Sequence, residues 1–157
     1  MAGLDPAIHA YLSEPAPQMP LTLEIISPEK LLVSKPVDMV VIPGTEGDLG
    51  ILPGHSRLIT SLRGGLVDLY ENQKLTDRFF VTGGFAEVTE DRCSVLADSI
   101  TKQSDLNPET AAQALKAAQD AYAEADFALP DSYRKASDAL ISAQAMLDSL
   151  PTRRADA

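Results

Sequence analysis

Residues 57–97 read RLITSLRGGLVDLYENQKLTDRFFVTGGFAEVTEDRCSVLA. This stretch decides the fold class. Short runs rich in Val, Leu, Ile, Thr and Phe are separated by turn-forming residues, which is the signature of strands. Gly64-Gly65, Glu71-Asn72-Gln73-Lys74 and Gly83-Gly84 are predicted hairpin corners. No helix-length segment separates the runs, so an antiparallel sandwich or flattened barrel is expected rather than a parallel βαβ sheet. Cys93 alternates with Val95 and Ala97 on one side of its strand and reads as a small buried hydrophobe. Phe79, Phe80 and Phe85 read as core, and Arg57, Arg63, Arg78 and Arg92 as solvent-facing.

The same pattern extends toward the N-terminus. EKLLVSK, VDMVVIP and the short GILP continue the series, and Leu21, Leu23 and Ile25 alternate with Thr22 and Glu24. About ten strands are therefore expected between residues 21 and 104. Toward the C-terminus the chain changes character. All nine glycines lie between Gly3 and Gly84, whereas 15 of the 53 residues from 105 to 157 are alanine, the best helix former. Asn107-Pro108 is a cap and first-turn pair. Ala111, Leu115, Ala118, Tyr122 and Ala125 share one helical face. Leu129-Pro130-Asp131 breaks the pattern and is expected to supply a second cap. Tyr133, Ala136, Leu140, Ala143, Leu147 and Leu150 then form a second stripe, ended by Pro151. Residues 105–157 are thus expected to form an antiparallel helical hairpin. Its first stripe holds only two large side chains, so shallow docking on the β-rich body is expected. A movable arm and a permanently docked one both fit this pattern. Residues 1–20, with Asp5, Glu14, three prolines after Ser13 and no base, read as a flexible acidic extension.

Composition excludes several functions. Thirteen basic residues against 23 acidic ones give a net charge of −10, which is wrong for a nucleic-acid partner or for unaided approach to an anionic membrane. One cysteine cannot form an internal disulfide. Together with a tail lacking Lys and Arg, it points to a reducing bacterial cytoplasm. Cys93, His9 and His55 lack zinc-ligand spacing.

The most unusual segment is PGTEGDLGILPGH, Pro43 to His55. Its glycines do not make a phosphate cradle, because the Gly-Lys-Ser/Thr end is missing and Glu46 and Asp48 repel phosphate. Nor does it carry the oxygen ligands of a calcium loop. Acidic Glu46 and Asp48 beside apolar Leu49, Ile51 and Leu52 resemble a contact surface, with His55 as a capping or contact residue. No nucleophile motif is present, and Ser56 lacks the elbow glycines of a hydrolase. No cofactor or metal is expected.

Taken together, these segments resemble the epsilon subunits of bacterial F-type ATP synthases, called delta in mitochondria. Gly44 to His55 carries the most specific resemblance, followed by Gly83-Gly84-Phe85-Ala86-Glu87-Val88 and Val95-Leu96-Ala97-Asp98. The resemblance implies a ten-stranded sandwich with a helical hairpin, in a non-catalytic rotor subunit of the central stalk. Its implied partners are the gamma subunit, the c-subunit ring and, through the hairpin, the alpha/beta catalytic head. That places it peripherally on the cytoplasmic face of the bacterial inner membrane. By position, Glu46, Asp48, His55, Ile51 and Leu52 match the segment that meets gamma and the c-ring. Arg134, Lys135, Arg153 and Arg154 match basic residues that in many relatives help an opened hairpin restrain ATP hydrolysis. The ATP-binding motif of some relatives is altered here, with Asn107 in place of its aspartate and Thr110 in place of its arginine, so tight ATP binding is not expected. The residues alone leave a different class open: a sandwich adaptor, or a small-molecule site using His55 with Glu46 or Asp48.

Overall fold

The computed structural model describes residues 19–151. Arg153, Arg154 and nearly all of the expected acidic extension lie outside them. Ten strands are present: β1 (Leu21–Ile26), β2 (Leu31–Val37), β3 (Met39–Gly44), β4 (Gly47–Ile51), β5 (Leu58–Leu62), β6 (Gly65–Glu71), β7 (Lys74–Val81), β8 (Gly84–Val88), β9 (Arg92–Ala97) and β10 (Ile100–Lys102). Two helices follow, α1 (Pro108–Glu124) and α2 (Pro130–Asp148). The strands form one sheet in the order β10-β7-β6-β3-β5-β8-β9-β1-β2, with β4 paired to β3. All pairs are antiparallel except β1 with β9, which run parallel.

The register explains how one sheet makes two layers. Pairing runs without slippage from Leu58↔Val88 through Leu62↔Gly84 to Gly65↔Val81 and Leu69↔Asp77. β5–β6 and β7–β8 are therefore the two arms of a single long hairpin. Its turn is Asn72-Gln73, where φ values of 51° and 63° give the left-handed pair that matches strand twist. β9–β10 continues the meander in the same unbroken register, from Val88↔Cys93 to Phe80↔Thr101. The Gly-Gly pairs are thus not hairpin corners, as the sequence predicts. They are creases at which this meander folds over, so that its halves face each other across the core. At Gly84 the crease requires glycine twice: φ is +129°, and an added Cβ would lie 2.0 Å from the Leu96 carbonyl oxygen.

Strand alternation fills the space between the layers. Leu21, Leu23, Ile25, Val40, Ile42, Ile51, Val67, Leu69, Val81, Val88, Cys93 and Val95 are almost completely buried and belong to one cluster. Phe80 is buried and Phe79 packs against this cluster, but Phe85, expected in the core, is 59% exposed. Phe85 shares its parity with Glu87, while Ala86 and Val88 take the inward positions. At the open side of the sandwich, Lys35 Nζ on β2 reaches Asp77 (3.3 Å) and Glu71 (3.5 Å), and Lys102 Nζ reaches Asp77 from β10 (3.5 Å). This network ties the last strand of one layer to the other.

Asn107 caps α1 as expected, its side-chain oxygen accepting from the Glu109 N–H at 2.8 Å, with Pro108 in the first turn. The second cap differs from expectation. No side chain caps α2 at Leu129, and Asp126 instead accepts from the Ala128 N–H in the connecting turn at 2.9 Å. Tyr122 and Tyr133, placed on inward stripes by the sequence, meet Phe127 at the tip of the hairpin. Their ring centroids lie 5.4–6.2 Å apart and the two hydroxyls 3.2 Å apart. That hydrogen bond is the main cause raising the Tyr122 pKa, with smaller contributions from desolvation and from the Tyr133 charge.

Gly84→Ala forces a side chain into left-handed backbone and against a carbonyl. It should lower unfolding stability by about 2–4 kcal/mol in urea titration, whereas Gly50→Ala, with nothing within 4 Å of the added methyl, should cost far less.

Candidate functional site

The Pro43–His55 segment forms a β-hairpin followed by a turn. β3 and β4 pair from Val40↔Ile51 to Gly44↔Gly47, leaving Thr45 and Glu46 at the tip. Gly47 takes φ +142°, which lets the chain turn back after Glu46. Glu46 is exposed there. Asp48 is also exposed but not free: its Oδ1 accepts from Arg63 Nη2 at 2.6 Å. Ile51, grouped with the contact residues by sequence, is fully buried in the core and offers no surface to a partner. Its parity on β4 points inward, whereas Leu52, just beyond the strand, is 55% exposed.

His55 lies on a turn beyond the other end of β4. That turn is pinned by the Gly54 N–H donating to the Glu90 carbonyl at 2.7 Å, and His55 Nδ1 lies 2.7 Å from the Ser56 carbonyl oxygen. Four residue steps of β4 separate Gly47 from Ile51, about 14 Å at roughly 3.4 Å per residue. Glu46 and Asp48 are therefore not brought to His55, so no acid–imidazole dyad forms among these residues. Arg134 and Lys135 are exposed in the first turns of α2, beside Asp131 and Asp138 at a hollow lined mainly by small residues of the two helices.

One surface feature was missed by sequence reading. On the outer face of the second layer, Phe85 pairs with Leu96, Leu96 with Ile26, and Ile26 with Leu31, giving an apolar row across four strands. Phe85, Leu96 and Leu31 are 59%, 45% and 55% exposed, and neighbouring Ile59 is 73% exposed. Parity carried the signal: Cys93, Val95 and Ala97 face inward, so Leu96 must face out. A shallow concavity of ≈ 570 Å³ joins Ile59 to the Thr45–Glu46 tip. The site is thus an acidic prong beside an exposed apolar row, suited to protein contact.

The cleft between hairpin and sandwich, ≈ 820 Å³, contains Arg63 and Arg78. Each is engaged by a carboxylate, Arg63 by Asp48 and Arg78 by Asp68 through two bonds of 3.0 and 3.3 Å. Among the described residues, no three His, Cys, Asp or Glu side chains cluster to hold a metal. Cys93 is fully buried, and desolvation pushes its thiol from 9.0 up to about 12.

Comparison with known proteins identifies the family. The model of the ATP synthase delta/epsilon chain β-sandwich domain matches residues 20–103. An ATP synthase epsilon chain from Granulibacter bethesdensis is 45% identical over 128 residues, covering 82% of this chain and 95% of that one. The chain belongs to the ATP synthase delta/epsilon family. An epsilon chain from Rhodospirillum rubrum is 50% identical over 102 residues, covering 65% of this chain and 76% of the relative. Two solved structures share the fold. A chain in the Euglena gracilis mitochondrial ATP synthase OSCP/F1/c-ring structure has TM-score 0.69 at 19% identity, covering 94% of this chain and 96% of that one. A chain in the Tetrahymena thermophila central stalk/c-ring structure has TM-score 0.60 at 13% identity, covering 85% and 98%. The delta/epsilon family match includes all ten strands and ends before α1.

Because its thiol is buried and neutral, Cys93 should react with a disulfide reagent at pH 8 only after unfolding. The raised folded pKa contributes stability that is complete below pH 9 and is lost as pH rises from 9.0 toward about 12. Cys93→Ala should flatten that alkaline decline in urea titrations across this range.

Proposed function

We propose that this chain is a non-catalytic central-stalk rotor subunit of a proton-translocating F-type ATP synthase. It joins the gamma subunit to the c-ring and so couples proton flow to ATP synthesis. The observation that carries this reading is the acidic prong beside the apolar row Ile59, Phe85, Leu96 and Leu31, on a chain of the delta/epsilon family. The apolar row is the gamma-binding face, since a row of large exposed side chains on a flat sheet supplies buried anchors. Glu46, with Asp48 behind it, meets basic groups of the c-ring, where opposite charge gives orientation and association rate. His55 and Leu52, on the turn at the far end of β4, mark the edge of this contact region. The subunit sits on the cytoplasmic face of the bacterial inner membrane, held there by its partners. Residues 21–104 form the binding module, and 105–157 a regulatory arm whose Arg134, Lys135, Arg153 and Arg154 engage the catalytic head when it opens. The buried residues of α1 and α2 are small, Ala111, Ala118, Ser142 and Ala143, which supports movement of the arm, because little apolar area is surrendered on release.

Mixing the chain with purified gamma should give a stable stoichiometric complex. Ile59→Asp with Phe85→Asp should weaken that complex by about 30-fold or more while leaving the thermal midpoint near wild type, since both side chains are exposed. Failure of the wild-type chain to associate would return the adaptor or small-molecule reading. Deleting residues 105–157 should raise ATP hydrolysis by the reassembled complex, and unchanged hydrolysis would make the arm a static prop.

A further inference from the structure

The hairpin seats on the crease of the sandwich. Ser142, on α2, is 8% exposed and donates from Oγ to the carbonyl of Thr82 at 3.3 Å. Thr82 lies with Gly83 between β7 and β8, at the crease. On the adjoining arm of the crease lies Gly64, where an added Cβ would come within 2.5 Å of both Ser142 Cα and Oγ and 2.7 Å of its Cβ. The backbone at Gly64 needs no glycine, because its φ lies outside the left-handed range occupied by Gly83 and Gly84. Its nearest obstructions to a methyl group all belong to Ser142. Gly64 therefore serves the approach of the helix and not the bend of the strand.

The remaining seat is thin. Gln103 donates from Nε2 to the Ser149 carbonyl at 3.1 Å, and the buried residues of the two helices are small: Ala111, Ala118, Ser142 and Ala143, with Leu106 buried just ahead of α1. Among the described residues, no large side chain of α1 or α2 is buried. Close backbone approach at one point thus has outsized influence on whether the arm stays down.

We propose that Gly64 and Ser142 form a latch, with the Thr82 carbonyl as its catch, that determines the seated position of the hairpin in this chain. The latch is a property of the isolated polypeptide and holds whichever partners the sandwich binds. A methyl group at Gly64 overpacks the seat and releases the hairpin while the sandwich stays folded.

Distance measurement between spin labels on the full-length chain tests this. Labels attached at Glu87→Cys and Asp120→Cys occupy exposed sites on the sandwich and on α1, and Cys93 is too buried to compete. The unaltered latch should give one narrow distance distribution. Gly64→Ala should add a broad, longer component, raising the open population by about tenfold. Ser142→Ala, which removes the hydroxyl that donates to the Thr82 carbonyl and keeps a good helix former, should add a smaller open component of the same kind. Strand amide resonances should stay at their wild-type positions away from the seat. An unchanged distribution in Gly64→Ala overturns the latch. So does an unchanged distribution in Ser142→Ala, and so does collapse of the strand resonances in Gly64→Ala, which would assign Gly64 to the sandwich itself. Loss of gamma binding with the latch intact would instead overturn the partner assignment alone.

Discussion

The structure depends on folding a continuous antiparallel meander back over itself without breaking its hydrogen-bonded register. The register is the same on both sides of the bend, from Leu58↔Val88 to Leu62↔Gly84 and from Gly65↔Val81 to Leu69↔Asp77, so the backbone must turn sharply in the two residues between, where adjacent strands press closest. Gly83 and Gly84 accept this because φ of +135° and +129° is open to them, and because Gly84 leaves room for the Leu96 carbonyl. Everything else follows from that line. The two inward faces meet as one core, the outward face beyond it carries the apolar row, and α2 rests on the bend itself.

Much of this architecture was legible in the residues. Alternation marked the strands, Asn72-Gln73 marked a true hairpin turn, and Asn107-Pro108 marked the start of α1. The crease was not legible, because two adjacent glycines look alike whether they end a strand or bend it; only the pairing partners on each side distinguish the cases. The parallel partnership of β1 with β9 was hidden for the same reason, since no local pattern reports which distant strand lies alongside. Ser142 escaped notice because helical stripes are counted by large apolar residues, and here the closest approach is made by a small polar one.

The candidate site shows the same division. Glu46, Asp48 and Leu52 were identifiable as surface residues of an unusual segment, yet their spacing gave no hint that β4 carries His55 to the far end. Proximity in sequence suggested an acid–imidazole pair; extended backbone separates it. By sequence, Phe85 reads as core together with Phe79 and Phe80. Its exposure follows from parity with Glu87, and the row it forms with Leu96 and Ile26 becomes visible only across strands.

The parallel pairing of β1 has a consequence for synthesis. Thr22 through Ile26 lie alongside Arg92 through Leu96, so the strand made first must wait for one translated some seventy residues later. Until then Leu21, Leu23 and Ile25 have only β2 for company, and their apolar side chains remain available to chaperones or to other nascent chains. Closure of the sandwich is therefore a late event on the ribosome, with the helical arm emerging just as the core beneath it becomes complete.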